Sequence, residues 1–305
     1  MKTGLLGYPI SHSLSPAIHN AAYEALGLDW HYDLYPCADR AAFEAVLREA
    51  LAYPQDFVGF NVTTPYKTVA FEVASEHAPT SQPIQNANVL SVVCPAAPAL
   101  PFLRSASTDG QGLVAFLEQG AGLTLAGSAV VLCGSGAVAR SVLVALLNRQ
   151  VAGITVVSRN AQQTQERLAA LCEAVTITAP PASPATSPTP SLTVIDYRSI
   201  ASSLAAADLL IDATTVGMNP ADEAVFPTDL ISPHTVVCDL VYGHGETALI
   251  AGAKKQGAQT HNGLGMLIEQ AALSIELWAQ DRGLIVKAPR ELMLAAARKA
   301  SQVVK

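Results

Sequence analysis

The sequence predicts an α/β protein with two domains, and three observations support this. Short apolar segments typical of buried strands alternate with segments of helical periodicity along the chain. The composition is 50% hydrophobic but only 6% aromatic, which suits mainly parallel sheets covered by helices. The length of 305 residues indicates about two domains.

The charge balance argues against two classes of partner. The formal net charge is −7, and lysine and arginine form no cluster along the chain. A nucleic acid or an acidic membrane surface is therefore not expected as a partner.

The first nine residues contain glycine and proline too early for a signal peptide. The most apolar region, 129–147, contains Arg140 and turn residues, which indicates strand, turn and helix, not a membrane span.

The five cysteines are an odd number and include no CxxC pair. Cys133 and Cys238 each end an apolar, strand-like segment. This usage is typical of buried, reduced thiols in a cytoplasmic protein, and it supports neither a metal site nor a disulfide framework.

The first third of the chain alternates strands and helices. Strands are predicted at residues 2–7, 31–35, 57–62 and 89–94, and helices at residues 17–26, 41–51 and 66–74. Ligands of such sheets collect at the carboxyl ends of the strands. Polar residues that follow these strands are therefore the first candidates for a site.

The segment after the third strand places a lysine where a helix begins. Thr64 fits the N-cap and Pro65 the first helical position, so Lys67 falls in the first turn. The macrodipole disfavours a cation there, and a local rule broken at a strand end indicates function. Lys67 is then a candidate for proton transfer, and the alternative is a surface lysine that reaches into water.

Two serines precede the first helix. Ser15 fits its N-cap and Pro16 its first helical position. Ser13 is then available, with the free helix amides, to bind an anion such as a carboxylate. The alternative is that both serines only cap the helix. Asp109 leaves a similar choice, since it either caps the helix at 113–118 or pairs with Lys67.

The second half of the chain carries a glycine loop between a strand and a helix. The apolar strand 128–133 continues directly into GSGAVA at 134–139, the GxGxxA dinucleotide fingerprint. Gly134 permits the tight turn, Gly136 lets a pyrophosphate approach, and Ala139 allows close packing of the helix. Further strands are predicted at residues 154–157, 209–213, 236–241 and 259–262.

The strand after the glycine loop ends in Ser158, Arg159 and Asn160. An NAD site usually has an acidic residue here, and none is present. Arg159 suits a 2′-phosphate, and Ser158 and Asn160 can donate hydrogen bonds, so NADP is favoured over NAD. The alternative, a solvated loop arginine, does not explain the missing acid.

Three further features leave their role open. Residues 178–193 are rich in Pro, Ser and Thr and are predicted to form an extended or mobile surface loop without assigned function. Met218 follows a strand and belongs either to the core or to a surface for a flat cofactor ring. Gln270 lies inside an apolar helix, on one face with Met266 and Ser274, so its amide needs a partner from backbone or ligand.

Together these motifs resemble the shikimate dehydrogenase family, NADP-dependent enzymes that reduce 3-dehydroshikimate. The resemblance covers nearly the whole chain and is carried by residues 13–16, 61–67, 108–110, 134–139, 213–218 and 263–270. It implies a catalytic, substrate-binding domain of residues 1–111 plus 263–305. It also implies a Rossmann domain of residues 112–262 that binds NADP (NADPH), with a cleft between the two.

The resemblance implies a role for each site residue. Lys67 and Asp109 resemble the catalytic pair. The residues implied for the substrate, with the carboxylate at the first three, are Ser13, Ser15, Tyr242, Asn61, Thr63, Asn88, Asp109 and Gln270. The residues implied for the cofactor are Gly134, Ser135, Gly136, Ala137, Val138, Ser158, Arg159, Asn160, Thr214, Met218 and Gly263.

The chain departs from the family pattern in several places. The loop before Asn88 lacks the glycine of the usual GAVNT, and Asp212 stands where asparagine is usual. Ser107 replaces an asparagine, and residues 243–245 replace a proline-containing turn. Gln163 stands in place of the second basic residue of the NRTxxR signature, which weakens the NADP prediction without indicating NAD.

The expected activity is the reversible, NADP-dependent reduction of 3-dehydroshikimate to shikimate in aromatic amino acid biosynthesis. One alternative is a quinate or quinate/shikimate dehydrogenase that uses NAD or NADP. Another is a non-catalytic ligand sensor of the same fold, although Lys67 and Asp109 are both present. A methylene-tetrahydrofolate dehydrogenase is disfavoured by the paired serines. The expected protein is a cytoplasmic monomer or homodimer without a metal.

Overall fold

The computed structural model describes residues 1–178 and 190–303. The chain divides into two compact units, Met1–Gly112 with Ile268–Lys305, and Leu113–Leu267. Each unit is built on one six-stranded sheet with helices packed against it. The first is called the N-terminal unit below, and the second the central unit.

The N-terminal unit contains a mixed sheet in which parallel pairs predominate. Its strands are β1 (Lys2–Gly7), β2 (His31–Pro36), β3 (Phe57–Val62), β4 (Glu76–His77), β5 (Val89–Val93) and β6 (Phe102–Ala106). They lie in the order β2-β1-β3-β5-β6-β4. The pairs β1–β2, β1–β3 and β4–β6 are parallel, and β5 runs antiparallel to β3 and β6. The sequence did not indicate β4 and β6, because β4 consists of two polar residues and β6 carries Arg104 and Ser105 among its apolar residues.

The helices of this unit are α1 (Ser15–Leu26), α2 (Arg40–Ala52), α3 (Lys67–Val73), α4 (Asp109–Ala115), α9 (Leu264–Asp281) and α10 (Arg290–Val303). The chain passes from one unit to the other within α4 and α9. Since α9 also carries Gln270, this helix belongs to the region that builds the candidate site.

Two predicted helix caps are wrong. Helix α1 begins at Ser15 itself with Leu14 at the N-cap, because the Ser13 hydroxyl already accepts the Ser15 N–H before the helix starts. Helix α3 begins at Lys67 with Tyr66 at the N-cap, not with Thr64, because a turn closed by Tyr66 N–H and the Thr63 carbonyl precedes it. Lys67 does lie in the first turn, as predicted.

The core of the N-terminal unit is anchored by Trp278 of α9. Its ring is fully buried, and Nε1 donates to the Leu90 carbonyl oxygen of β5 at 3.1 Å. Gly59 of β3 faces this ring, and a Cβ placed there would lie 2.4 Å from both the Leu90 oxygen and Trp278 Nε1. The close approach of helix to sheet therefore depends on a missing side chain.

The central unit contains a fully parallel sheet. Its strands are β7 (Ala129–Cys133), β8 (Gly153–Val157), β9 (Ser191–Ile195), β10 (Leu209–Asp212), β11 (Val236–Asp239) and β12 (Gln259–Asn262). Its helices are α5 (Ala137–Leu147), α6 (Ala161–Thr178), α7 (Ala201–Ala205) and α8 (Ala248–Lys255). The strand order is β12-β11-β10-β7-β8-β9, which is the Rossmann order with the switch point between β7 and β10.

The predicted loop at 178–193 is partly wrong. Helix α6 extends to Thr178, and β9 begins at Ser191 and pairs in parallel with β8. The remainder of that prediction, residues 179–189, lies outside the described residues. The apolar alternation of residues 191–195 is short, and only pairing with β8 makes it a strand.

Three negative findings concern the described part of the chain. No helix there is long and apolar enough to cross a membrane. No group of three or more His, Cys, Asp or Glu side chains is placed to hold a metal ion there. Cys37, Cys94, Cys133 and Cys238 are free thiols, and Cys94 is exposed.

We expect Gly59→Ala to lower the free energy of unfolding of the N-terminal unit by about 1–3 kcal/mol, because the added Cβ overpacks the contact with Leu90 and Trp278. Urea unfolding followed by tryptophan fluorescence reports this unit, since Trp30 and Trp278 both belong to it. In the control Gly136→Ala the Cβ meets no atom within 4 Å, so stability should hold. Equal unfolding midpoints for the two variants would contradict the packing argument.

Candidate active site

Lys67 and Asp109 form a close ion pair in the N-terminal unit. Lys67 Nζ lies 2.5 Å from Asp109 Oδ2, although the residues are 42 positions apart. Only 14% of the Lys67 side chain and 8% of the Asp109 side chain are exposed. The ammonium is thus held at the start of α3 by a carboxylate at the start of α4.

The backbone of Lys67 is fixed from both sides. The Tyr66 ring is buried and stacks on Phe43 with centroids 4.8 Å apart, and its hydroxyl donates to the Cys37 carbonyl at 2.8 Å. The Lys67 carbonyl accepts the Ala87 N–H at 2.9 Å. These contacts fix the position from which the Lys67 side chain reaches Asp109.

Asn88 orients the carboxylate of Asp109. Its Oδ1 accepts the Thr108 N–H at 2.8 Å, and because a backbone N–H only donates, this bond fixes which amide atom is oxygen. Its Nδ2 lies 3.0 Å from Asp109 Oδ1, 3.0 Å from Thr108 Oγ1 and 3.1 Å from Gln270 Oε1. Two amide hydrogens are therefore shared among three acceptors, and one residue positions Asp109 and Gln270 together.

Asn61, near the carboxyl end of β3, is oriented in the same way. Its Oδ1 accepts the Tyr32 hydroxyl at 2.9 Å, and its Nδ2 donates to the Asn88 carbonyl at 3.2 Å and to Ser274 Oγ at 3.0 Å. Both amide hydrogens are used by the protein. What Asn61 offers to a ligand is then the second lone pair of Oδ1, which suits a ligand hydroxyl that donates.

The two predicted serines lie together at the start of α1. Ser13 Oγ donates to Ser15 Oγ at 3.1 Å and accepts the Ser15 N–H at 3.2 Å. The Ser15 carbonyl contacts Nδ1 of the buried His19 at 2.9 Å, and the His19 ring stacks on Tyr32 with centroids 4.0 Å apart. Burial lowers the pKa of His19 to about 4, so the ring that links the serines to Asn61 is neutral at physiological pH.

Thr63 and Tyr242 are the remaining residues predicted to bind substrate. Thr63 is half-buried directly after β3, and its N–H donates to the Leu6 carbonyl at 2.9 Å. Tyr242 is half-buried after β11 and belongs to the central unit. Their roles stay predictions.

The glycine loop of the central unit has the conformation its motif predicts. Gly134 has φ +105°, a value that favours glycine, and its N–H donates to the Val157 carbonyl at 2.8 Å. Gly136 is the N-cap of α5, which has no side-chain cap, and a Cβ on Gly136 would meet no atom within 4 Å. Protein packing does not require that glycine. Ser135, Ala137 and Val138 are half-exposed around the same open helix start, which fits a pyrophosphate.

The residues after β8 divide between structure and solvent. Ser158 is buried and donates to Thr164 Oγ1 at 2.9 Å, and Asn160 Oδ1 accepts the Gln163 N–H at 3.1 Å, so both serve the start of α6. Arg159 is exposed and forms no ion pair with any described residue. None of residues 158–160 carries a carboxylate, and the exposed guanidinium of Arg159 fits a 2′-phosphate.

The other predicted cofactor residues follow β10 and β12. The Thr214 N–H donates to Asp212 Oδ1 at 2.8 Å, and its hydroxyl accepts the Val216 N–H. Met218 is 45% exposed, so it is not a core residue. Gly263 is buried, and a Cβ there would lie 2.0 Å from the Leu240 carbonyl oxygen, so packing within the unit accounts for this glycine.

Comparison with known proteins identifies the family. Residues 5–90 match the family described as "Shikimate dehydrogenase substrate binding domain". The shikimate dehydrogenase (NADP(+)) of Alkaliphilus metalliredigens (strain QYMF) is 32% identical over 280 residues, which are 91% of this chain and 91% of that protein. The chain belongs to the shikimate dehydrogenase family.

Solved structures of shikimate dehydrogenases share the fold. One, in complex with NADP+, has a TM-score of 0.81 and 27% identity, and covers 98% of this chain and 94% of its own. The enzyme of Thermus thermophilus, in complex with NADP(H) and shikimate, has a TM-score of 0.79 and 28% identity, and covers 98% and 99%. The predicted α/β fold and the family resemblance are confirmed.

The sequence did not single out Tyr32 and His19 as part of this polar cluster. Both become visible only through tertiary contacts, since Tyr32 reaches Asn61 from another strand and His19 packs on Tyr32. Ser274 did have a signal, because it lies one helical turn after Gln270 on the same face of α9. It accepts from Asn61 and donates to the Gln270 carbonyl at 2.7 Å.

The pH dependence of stability tests the buried acid at the end of β10. Burial raises the pKa of Asp212 to about 6 from 3.8, hydrogen bonds from Thr214 oppose this, and Asp239 adds to it. The folded state thus holds the proton more tightly, so the stabilising contribution is full below about pH 4 and is lost as pH rises through about 6. We expect the stability advantage of Asp212→Asn over wild type to grow by about 2–3 kcal/mol between pH 4 and pH 8 in urea unfolding.

The matched control for this experiment is Asp229→Asn, which neutralises an exposed acid of the same unit. Its stability difference from wild type should change little over the same pH range. A constant difference for Asp212→Asn across that range would show that this carboxyl is not the titrating group.

Proposed function

We propose that the chain is an NADP-dependent shikimate dehydrogenase that reversibly reduces 3-dehydroshikimate to shikimate. The observation that carries the proposal is the enclosed Lys67–Asp109 pair, oriented by Asn88 beside Asn61 and Gln270. The curated relatives support it, since proteins about one third identical over nine tenths of the chain are named shikimate dehydrogenase (NADP(+)).

In the proposed mechanism of reduction, Lys67 is the proton donor. Reduction of a ketone adds a hydride and a proton, and NADPH, when bound, supplies the hydride. Lys67 Nζ donates its proton to the carbonyl oxygen as negative charge develops there, and in oxidation it accepts the proton back. Asp109 Oδ2 holds the ammonium at 2.5 Å, and Asn88 holds the other carboxylate oxygen, so the donor points in one direction before substrate arrives.

The polar groups of the N-terminal unit match a hydroxylated ring acid. Ser13 and Ser15 bind the carboxylate at the start of α1, where the helix dipole favours an anion. Asn61 accepts from a ring hydroxyl through Oδ1, and Thr63, Asn88, Asp109 and Gln270 contact the remaining hydroxyls. Tyr242 as a further partner of the carboxylate stays a prediction.

The proposed division of labour follows the chain. Residues 1–111 with 263–305 bind substrate, and residues 112–262 bind NADP. The open helix start at Gly136 supports the pyrophosphate site, and Arg159 supports the 2′-phosphate site. Ser135, Ala137, Val138, Thr214, Met218 and Gly263 remain the predicted contacts of the cofactor. A cytoplasmic location, supported by the free thiols Cys133 and Cys238, and a monomer or homodimer complete the proposal.

Two other functions are separated by one assay. A quinate dehydrogenase would give its larger kcat/KM with quinate, and a ligand sensor would bind shikimate without turnover. The assay follows cofactor reduction with shikimate and with quinate, each with NADP+ and with NAD+. The proposal requires turnover with the largest kcat/KM for shikimate and NADP+.

The direct test of the mechanism is Lys67→Ala. Removal of the proton donor should lower kcat by about 10²–10⁴-fold, while KM for shikimate changes little. Lys255→Ala, which removes an exposed lysine at the end of α8, is the control and should keep wild-type kcat. If Lys67→Ala retains kcat within a few-fold, Lys67 is not the proton donor.

The orientation of Asn61 is tested by Tyr32→Phe. The variant lacks the hydroxyl that donates to Asn61 Oδ1, a hydrogen bond that contributes about 1 kcal/mol to holding Asn61 in place. We therefore expect kcat/KM for shikimate to fall about five-fold, mainly through KM. Tyr23→Phe removes an equally buried hydroxyl, which bonds Thr3 Oγ1 at 2.9 Å in the same unit. The proposed role of Tyr32 fails if both variants lower stability alike and neither changes KM.

A further inference from the structure

Unpaired arginines are concentrated in the central unit. Its five arginines are Arg140, Arg149, Arg159, Arg167 and Arg198. Arg149 pairs with Glu118 at 3.1 Å. Among residues 1–171 and 190–302, whose side chains the structure describes, no carboxylate lies within ion-pair distance of the other four. Of the six arginines of the N-terminal unit, four pair with acids, namely Arg40, Arg48, Arg104 and Arg290. Arg282 donates to backbone carbonyls, and no ion pair joins Arg298 to a residue whose side chain is described.

Two of these arginines, Arg140 and Arg167, lie on the helices that follow two adjacent strands. The helices α5 and α6 follow β7 and β8, which are adjacent parallel strands, and right-handed crossovers place both helices on one face of the sheet. Arg140 lies in the first turn of α5 and is half-buried, and Arg167 lies in the second turn of α6. Burial and then the charge of Arg167 lower the pKa of Arg140, so the two cations interact unfavourably without a counter-ion.

Both arginines lie in the first two turns of helices that start at the ligand-binding edge of the sheet. Helix side chains lean toward the helix N-terminus, and α5 and α6 each start at the carboxyl edge of the sheet. Arg159 lies at that same edge, directly after β8. Gln163, the uncharged residue at the expected second basic position, precedes Arg167 by one turn on the same face of α6.

We propose that Arg140 and Arg167, with Arg159, bind the 2′-phosphate of NADP and replace the missing basic residue at position 163. This rests on the proposed use of NADP. A phosphate monoester carries nearly two negative charges at neutral pH, which one arginine only partly balances. The bound phosphate turns a repulsive pair of guanidinium groups into two charge-assisted contacts.

The test measures binding of cofactor fragments by calorimetry, so it does not depend on turnover. The probes are 2′,5′-ADP, which carries the 2′-phosphate, and 5′-AMP, which lacks it. We expect Arg167→Ala and Arg140→Gln each to raise the Kd of 2′,5′-ADP about ten-fold and to change the Kd of 5′-AMP less than about two-fold. NADP+ and NAD+ should show the same contrast.

The controls separate this site from general electrostatics and from misfolding. Lys255→Ala removes one positive charge at the end of α8, at the opposite edge of the sheet, and should leave both Kd values unchanged. Arg167 is exposed, so Arg167→Ala tests the site even where the half-buried Arg140→Gln lowers stability. Circular dichroism of each variant confirms the fold before titration.

The outcomes distinguish the inference from the proposed function. If Arg159→Ala weakens 2′,5′-ADP but Arg140→Gln and Arg167→Ala bind it as wild type does, the inference is overturned and the use of NADP stands. If the wild-type chain binds 2′,5′-ADP no better than 5′-AMP, recognition of the 2′-phosphate fails, and with it the NADP part of the proposed function. An equal loss with both probes also overturns the inference, since it indicates a general change in the fold.

Discussion

The site depends on the fixed orientation of one buried amide, that of Asn88. The Thr108 N–H can only donate, so the Asn88 oxygen faces α4 and its two hydrogens face the side chains of Asp109, Thr108 and Gln270. A reversed amide would leave a buried donor facing a donor, at a cost of about 1–3 kcal/mol. Through this one amide, the residue before β5 is hydrogen-bonded to side chains of α4 and α9, and together they form one buried polar cluster.

The consequence for Lys67 is a defined direction. Asp109 accepts from Asn88 through one carboxylate oxygen and from Lys67 through the other, so the position of the ammonium is defined. An enclosed ion pair loses contact with water, and here the hydrogen bond from the Asn88 amide to Asp109 replaces part of that solvation. Asn61 repeats the arrangement, with Tyr32 and Ser274 as its fixed partners. Both amides are thus oriented by the protein before any ligand binds.

The central unit differs, because most of its arginines have no acidic partner among the described side chains. Gly136 leaves open space at a helix start, and four arginines of the same unit have no acidic partner among the described residues. Buried acids at the ends of β10 and β11, Asp212 and Asp239, are instead bonded to local N–H groups. Positive charge therefore remains available to an anion at the carboxyl edge of this sheet.

The sequence by itself determined the elements and motifs that depend on neighbours in the chain: the strand before Gly134, the lysine in the first turn of α3, and the two serines around the start of α1. Local periodicity and turn chemistry act over a few residues, so they can be predicted from the order of residues in the chain. Only the tertiary structure decided the strand β9 and the roles of Tyr32 and Asn88 in the polar network. Those depend on partners far away in the chain, and a hydrogen bond across 182 residues leaves no periodic trace in the sequence.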